Sequence, residues 1–330
     1  LHYSDNLNTL LKESISLEIK QMDQVIDSAL SGKHLIKIIS EHLIYSGGKR
    51  LRPSLTILIA KLLGYHDGTD HINLAAAIEF IHTATLLHDD VIDASDLRRG
   101  KKTSNSIWGN QITILVGDYL LSQAFQIMVQ TKNIVILDIL SKASSIIAEG
   151  EILQFSLLSD FRITEEKYIE IIRAKTAELF GAATSIGAVL TNQDAKIIEN
   201  FYSFGINFGT GFQIIDDILD YSGSSNEMGK EAGDDFREGK ITLPILMCYQ
   251  DASSEDKEFI EKVFSASDYK TQENFEIIKN IMAKSNAIDK SFHQAQYYIE
   301  QAKSCLSISP DCIEKGVLLD LLDFSLKRIY

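Results

Sequence analysis

Two groups of aspartates carry the densest chemistry in this chain. Asp89, Asp90 and Asp93 end the segment 81–93, and Asp216, Asp217 and Asp220 end the segment 213–220, both with carboxylates at i, i+1 and i+4. On a helix turning 100° per residue, His82, Asp89 and Asp93 fall within about 40° of one another, so they share one stripe. A hard cation such as Mg²⁺ takes oxygen ligands, keeps several waters and needs only one or two carboxylates when substrate phosphates complete its shell. One acidic turn alone reads as solvated surface. Two copies, each directly after an apolar run and without the lysine at i+4 that would neutralise a surface turn, favour a shared metal site. An EF-hand is excluded, because its loop with a central glycine is absent.

Such a site attracts a polyanion, whose remaining charge calls for Lys and Arg at the rim. Lys49, Arg50 and Arg52 follow Gly47-Gly48, whose backbone suits an anion nest, and Arg98-Arg99-Gly100 follows the first acidic cluster. Lys175-Thr176 lies on a later helical segment, and Lys230 and Lys240 flank Gly233-Asp234-Asp235. Each cation alone reads as solvated surface; together, in an acidic chain, they indicate a diphosphate. The sequence holds no P-loop, dinucleotide fingerprint, zinc-protease helix or nucleophile elbow.

Positioning these groups falls to helices. Among 330 residues, 45% hydrophobic, there are 3 prolines and 19 glycines, too few for the many turns of an all-β fold. Apolar residues recur at helical spacing between short polar breaks at 66–70, 191–194 and 222–226. Thr164 before Glu165-Glu166 predicts a capped helix start. Phe204, Phe208, Phe212 and Leu219 form an apolar stripe away from Gln213 and the second acidic cluster. Gly205, Gly209 and Gly211 in that helix imply a close approach to its backbone. Without repeats or a linker, one all-α domain over 1–330 is expected. The net charge of −14 argues against nucleic acid. Cys248, Cys305 and Cys312 show no disulfide or zinc spacing, which suggests a reducing, cytoplasmic setting. The longest uncharged stretches, 103–117 and 201–215, contain Ser, Asn, Gln or Gly, so no transmembrane segment is expected. The acidic N-terminal residues do not read as a secretory signal.

Six segments, in order, resemble the trans-prenyltransferases, the (E)-polyprenyl diphosphate synthases: GGKRLRP at 47–53, LLHDDVID ending at Asp93, RRG at 98–100, KT at 175–176, GFQIIDDILD at 211–220, and GK-x-x-G-x-D followed by GKITLP from Gly229. The resemblance implies a single bundle of long, mostly antiparallel helices around a deep central cavity, and elongation of an allylic diphosphate with isopentenyl diphosphate. By similarity, three Mg²⁺ ions are expected, two on Asp89 and Asp93 and one on Asp216, with Asp90, Asp217 and Asp220 assisting. Lys49, Arg52, His82 and Arg99 resemble the isopentenyl side; Arg98, Lys175, Thr176, Gln213, Lys230 and Lys240 resemble the allylic side. Arg98 and Lys175 join the three metal-binding aspartates as the expected catalytic set. The departing pyrophosphate takes the final proton in such enzymes, so His88 is read as structural.

The resemblance also implies a homodimer, or a heterodimer with a small noncatalytic subunit, with residues 1–40 and 250–330 completing the bundle and dimer interface. Peripheral membrane contact would serve product release, and the product would serve a quinone side chain such as that of menaquinone. Short-chain relatives carry bulky residues four or five places before the first aspartate. Here these are Thr85 and Ala84, with Ile81 and Ile78 below. A product of about six to eight isoprene units is expected, heptaprenyl first, since each unit spans about one helical turn. A class I terpene cyclase needs no second diphosphate site, and a noncatalytic subunit has no reason to keep six clustered carboxylates.

Overall fold

The computed structural model describes residues 2–46, 49–98, 100–222 and 233–328. The elements are helices apart from one two-stranded ladder. In order they are α1 (His2–Leu30, broken at Ile15), α2 (His34–Ile44), α3 (Leu51–Leu62), α4 (Asp70–Ile92), β1 (Leu97–Arg98), β2 (Lys101–Lys102), α5 (Ser104–Trp108), α6 (Asn110–Gln130), α7 (Ile134–Ser156) and α8 (Glu165–Ile172). A π-helical turn (Arg173–Ala177) leads into α9 (Glu178–Val189), followed by α10 (Ala195–Ser222), α11 (Asp234–Glu238), α12 (Leu243–Asp251), α13 (Ser254–Ser265), α14 (Gln272–Ser285), α15 (Ala287–Cys305) and α16 (Ile313–Lys327). Local chemistry sets several starts. Thr164, Ser253 and Thr271 cap α8, α13 and α14 by accepting a backbone N–H three residues on, and Pro244 opens α12, where its missing N–H costs nothing. The breaks expected at 66–70 and 191–194 fall between helices, whereas most of the third, 223–226, lies outside the described residues.

Chain contacts group into two compact units. The first comprises Leu1–Ser145, Leu179–Gly205 and Lys303–Phe324, and the second Ile146–Glu178, Ile206–Ala302 and Ser325–Tyr330. At the heart of the first is α4, packed by α1, α3 and α6. Leu74 to Ile78, Phe80, Ile81, Ala84 and Leu87 are all buried, so α4 is apolar nearly all round until its last turns. In the second, Ile214, Ile215 and Ile218 of α10 pack with Tyr168, Phe236, Leu243, Phe264 and Phe275, fixing the direction of the acidic turn.

Gly205 of α10 meets the close approach its position suggests, made by a neighbouring helix. A Cβ on Gly205 would sit 2.3 Å from the Phe180 carbonyl oxygen and 2.4 Å from Thr184 Oγ1. Gly205→Ala is therefore expected to cost about 1–3 kcal/mol, because the obstacle is backbone. Urea unfolding measures this, and an unchanged midpoint would show that the helices part freely.

Among the described residues, one helix, α6, is long and apolar enough to cross a membrane by length and composition, with a mean hydropathy of 1.4. Asp118 interrupts it, and one face, with Val116, Leu120, Ala124 and Met128, is buried in the protein, while Ile114, Leu115, Phe125 and Val129 are exposed.

Candidate active site

Both acidic clusters stand in the last turns of long helices, Asp89 to Asp93 on α4 and Asp216 to Asp220 on α10. The helix dipole puts partial negative charge there, so carboxylates are locally unfavourable unless a cation joins them. Stability alone would place Lys at these positions.

In the first unit, Asp89 and Asp93 are half-buried, and the Asp93 N–H still donates to the Asp89 carbonyl at 2.8 Å, keeping the two one turn apart. Asp90 is buried. Its Oδ1 accepts from Arg98 Nε (2.8 Å) and pairs with Nη2 (2.7 Å), and Arg98 is delivered by the β1–β2 turn at Gly100. Arg98, expected at the allylic phosphate, is thus bound to Asp90 in this structure. Arg52 and His82, both assigned by resemblance to the isopentenyl side, lie in contact: Arg52 Nη1 lies 3.3 Å from His82 Nε2, and its guanidinium stacks on Phe180 at 4.3 Å. Lys49 lies over the Phe324 ring at 3.7 Å. Gly47, Gly48 and Arg99 lie outside the described residues. His88 Nε2 is 3.1 Å from the Ile114 carbonyl, and a Cβ on Gly117 would collide with its ring, in keeping with the structural reading.

In the second unit, Asp216 Oδ1 faces Arg328 Nη1 at 2.6 Å, and that guanidinium lies 4.9 Å from the Phe212 ring centre. Asp217 is buried; Tyr168 donates to its Oδ2 at 2.6 Å and Gln213 Nε2 to its Oδ1 at 2.7 Å. The Thr176 hydroxyl donates to Gln213 Oε1 at 2.9 Å. Asp220 accepts the backbone N–H groups of Asp234 (3.1 Å) and Asp235 (3.0 Å), tethering the start of α11. Lys175 Nζ reaches Glu151 Oε2 (2.7 Å) and Gln154 Oε1 (3.0 Å), while Lys240 pairs with Glu238. Lys175, Thr176, Gln213, Asp217, Asp235 and Lys240 line a cavity of about 90 Å³. Burial pushes the Asp217 and Asp235 carboxyls above the ordinary carboxylate range, with neighbouring carboxylates adding to the rise. Lys230 lies outside the described residues.

Glu151, Gln154, Tyr168 and Arg328 stand beside the expected site residues and are passed over by motif reading. Glu151 and Gln154 had a signal: they stand at i and i+3 just after Gly150, where a Cβ would lie 2.7 Å from Ala174 Cβ and 2.9 Å from Lys175 N. That close approach brings α7 against the π-helical turn.

Among the described residues, no three His, Cys, Asp or Glu side chains gather into a metal cage. The donors in question are carboxylate oxygens at helix C-terminal ends, and one of them, Asp216, already stands in an ion pair with a guanidinium. This donor set suits a hard cation that fills its shell from water and substrate phosphate.

The pattern describing the polyprenyl synthetase family matches residues 33–282. The chain belongs to this family. It is a trans-polyprenyl diphosphate synthase, hence a prenyltransferase, with the all-α isoprenoid synthase fold. It is 36% identical to an octaprenyl diphosphate synthase of Escherichia coli (strain K12) over 92% of this chain and 93% of the relative. An all-trans-nonaprenyl-diphosphate synthase (geranyl-diphosphate specific) of Rhodobacter capsulatus is 37% identical, over 96% of each. A solved polyprenyl synthase from Caulobacter crescentus CB15, complexed with calcium and isoprenyl diphosphate, superposes with a TM-score of 0.92 at 41% identity, covering 96% of this chain and 97% of its own.

Proposed function

We propose that this prenyltransferase condenses isopentenyl diphosphate with an allylic diphosphate such as farnesyl diphosphate, using Mg²⁺, to make an all-trans polyprenyl diphosphate for a quinone side chain. The observation that carries the reading is the placing of both aspartate clusters at helix C-terminal ends, where the dipole opposes a carboxylate and a bound cation favours it. Asp89, Asp93 and Asp216 hold the metal ions, and the calcium and isoprenyl diphosphate in the Caulobacter relative support divalent metal use. When bound, Mg²⁺ offsets the charge developing on the leaving diphosphate.

The remaining work belongs to side chains. Lys175, Thr176, Gln213, Lys230, Lys240 and Arg98 orient the allylic diphosphate, so that its C–O bond breaks with the diphosphate leaving. Lys49, Arg52, His82 and Arg99 hold isopentenyl diphosphate with its double bond toward the allylic carbon. The new C–C bond forms there, and the proton lost in restoring a double bond passes to the departed diphosphate. The octaprenyl and nonaprenyl synthases among the relatives support a product in the heptaprenyl to nonaprenyl range, at or above the length expected from the sequence. A homodimer is the proposed assembly. The exposed Ile114, Leu115, Phe125 and Val129 lie on α6, a helix without Lys or Arg, which suits a protein partner better than an anionic membrane. The free cysteines fit the proposed cytoplasmic setting.

Incubating the pure chain with isopentenyl diphosphate, farnesyl diphosphate and Mg²⁺, then resolving the products by chromatography, tests the reaction. Products longer than farnesyl are expected; consumption of farnesyl diphosphate alone would indicate a cyclase. The two substrate sides separate by mutation. Arg52→Ala is expected to raise the isopentenyl KM roughly tenfold to a hundredfold, and Lys175→Ala the allylic KM by a similar factor, as a charged hydrogen bond to phosphate is lost. Equal effects of both variants on both substrates would refute the assignment.

A further inference from the structure

The π-helical turn Arg173–Ala177 adds a residue to an otherwise continuous helical run from Glu165 to Val189. In a regular helix, Tyr168 and Thr176, eight positions apart, would point about 80° away from each other. A π-bulge absorbs one residue, which reduces the angle to about 20° and turns both side chains to one face. There they meet the same turn of α10, Tyr168 at Asp217 (2.6 Å) and Thr176 at Gln213 (2.9 Å), while Gln213 and Asp217 bond to each other (2.7 Å).

The donors converge on Asp217. Both Asp217 oxygens accept, one from Tyr168 and one from the Gln213 amide NH₂. With its nitrogen committed to Asp217, Gln213 must turn its oxygen to Thr176, and the Thr176 hydroxyl answers as donor. Tyr168 is buried and anchored in the apolar core of this unit, so the relay starts at a rigid point and ends at two residues lining the cavity.

We propose that Tyr168 is a positioning residue for the allylic diphosphate, setting the rotamers of Gln213 and Thr176 through Asp217. This rests on the reading of Gln213 and Thr176 as allylic-side groups. It gives Asp217 the task of orienting neighbours, and it gives the π-bulge a purpose: phasing Tyr168 with Thr176.

Tyr168→Phe removes the hydroxyl and keeps the ring. It is expected to raise the allylic KM about five- to tenfold and to leave the isopentenyl KM within about twofold. The dissociation constant of farnesyl thiodiphosphate, measured with Mg²⁺ by titration calorimetry, is expected to rise by the same factor. A loss of packing alone would change both substrates together.

The deciding comparison is with Thr176→Val. If Tyr168 acts through Thr176, the double variant is no worse than Thr176→Val alone; multiplied effects would overturn the relay. A raised allylic KM in Thr176→Val with no change in Tyr168→Phe also overturns it, leaving the proposed function standing. No change in Thr176→Val removes Thr176 from the allylic side, and the relay falls with that reading. Should Tyr168→Phe fail to fold, Gln213→Leu cuts the middle link. Adding Thr176→Val to it is then expected to cost nothing further, and an added loss would count against the relay.

Discussion

Asp89→Ala is expected to slow condensation by roughly two to three orders of magnitude without lowering the thermal unfolding midpoint. The two halves of this expectation have separate causes. Asp89 stands half-buried in the last turn of α4, where a carboxylate opposes the helix dipole, so its removal relieves a local repulsion. Stability should hold or rise slightly while catalysis collapses, as for a residue kept for chemistry. The adjacent Asp90 makes the opposite case. Its buried carboxylate accepts a hydrogen bond from Arg98 and pairs with that guanidinium, so Asp90→Ala leaves a partly exposed cation without this partner and is expected to cost about 1–3 kcal/mol of stability. Activity assays and thermal unfolding of the two variants, side by side, distinguish the roles. Asp216→Ala should resemble Asp89→Ala, with a small stability loss for its partly exposed pair with Arg328. Full turnover by Asp89→Ala, or by the wild type in EDTA, would remove the metal from the mechanism.

Much of this architecture could be read from residue order, because local rules govern it. Thr164 caps α8 as its position suggests, the phenylalanine stripe of α10 is largely buried, and the small residue at Gly205 marks a helix crossing. Arg52 and His82, both assigned by resemblance to the isopentenyl side, lie in contact. What escaped notice depends on contacts between segments remote in sequence. Nothing around Arg328 forms a motif, yet the end of α16 brings it to Asp216. Lys175 announces itself as a cation, but its partners Glu151 and Gln154 lie on α7 and look like ordinary polar residues of an amphipathic helix. Tyr168 reads as one more core aromatic; only the phase shift of the π-bulge gives its hydroxyl a purpose, and no propensity signals that bulge. The same holds for Asp220, legible as an acid but not as the tether of α11.

Thr85→Phe is expected to shorten the product sharply, to about fifteen or twenty carbons, since each isoprene unit requires roughly one helical turn of depth. In the proposed reaction the growing tail runs from Asp89 back along α4. At 100° per residue, Thr85 stands about 40° and Ile78 about 20° from the direction of Asp89, whereas Ala84 is turned about 140° away. Burial agrees: Ala84 is enclosed at 2% exposure, while Thr85 is half-buried, with its hydroxyl donating to the His82 carbonyl at 2.8 Å. Of the two small positions before the first aspartate, Thr85 therefore faces the path of the tail. A phenyl ring there is expected to block the path one turn below the carboxylate proposed to bind metal. Ala84→Phe is the contrasting variant, forcing a ring into packed core and costing stability without a defined product. Ile81→Ala, about 80° from Asp89 and fully buried, should lengthen the product or leave it unchanged. Chromatography of the products from all three variants decides the matter. A Thr85→Phe enzyme that still makes the wild-type chain would place the floor on another helix.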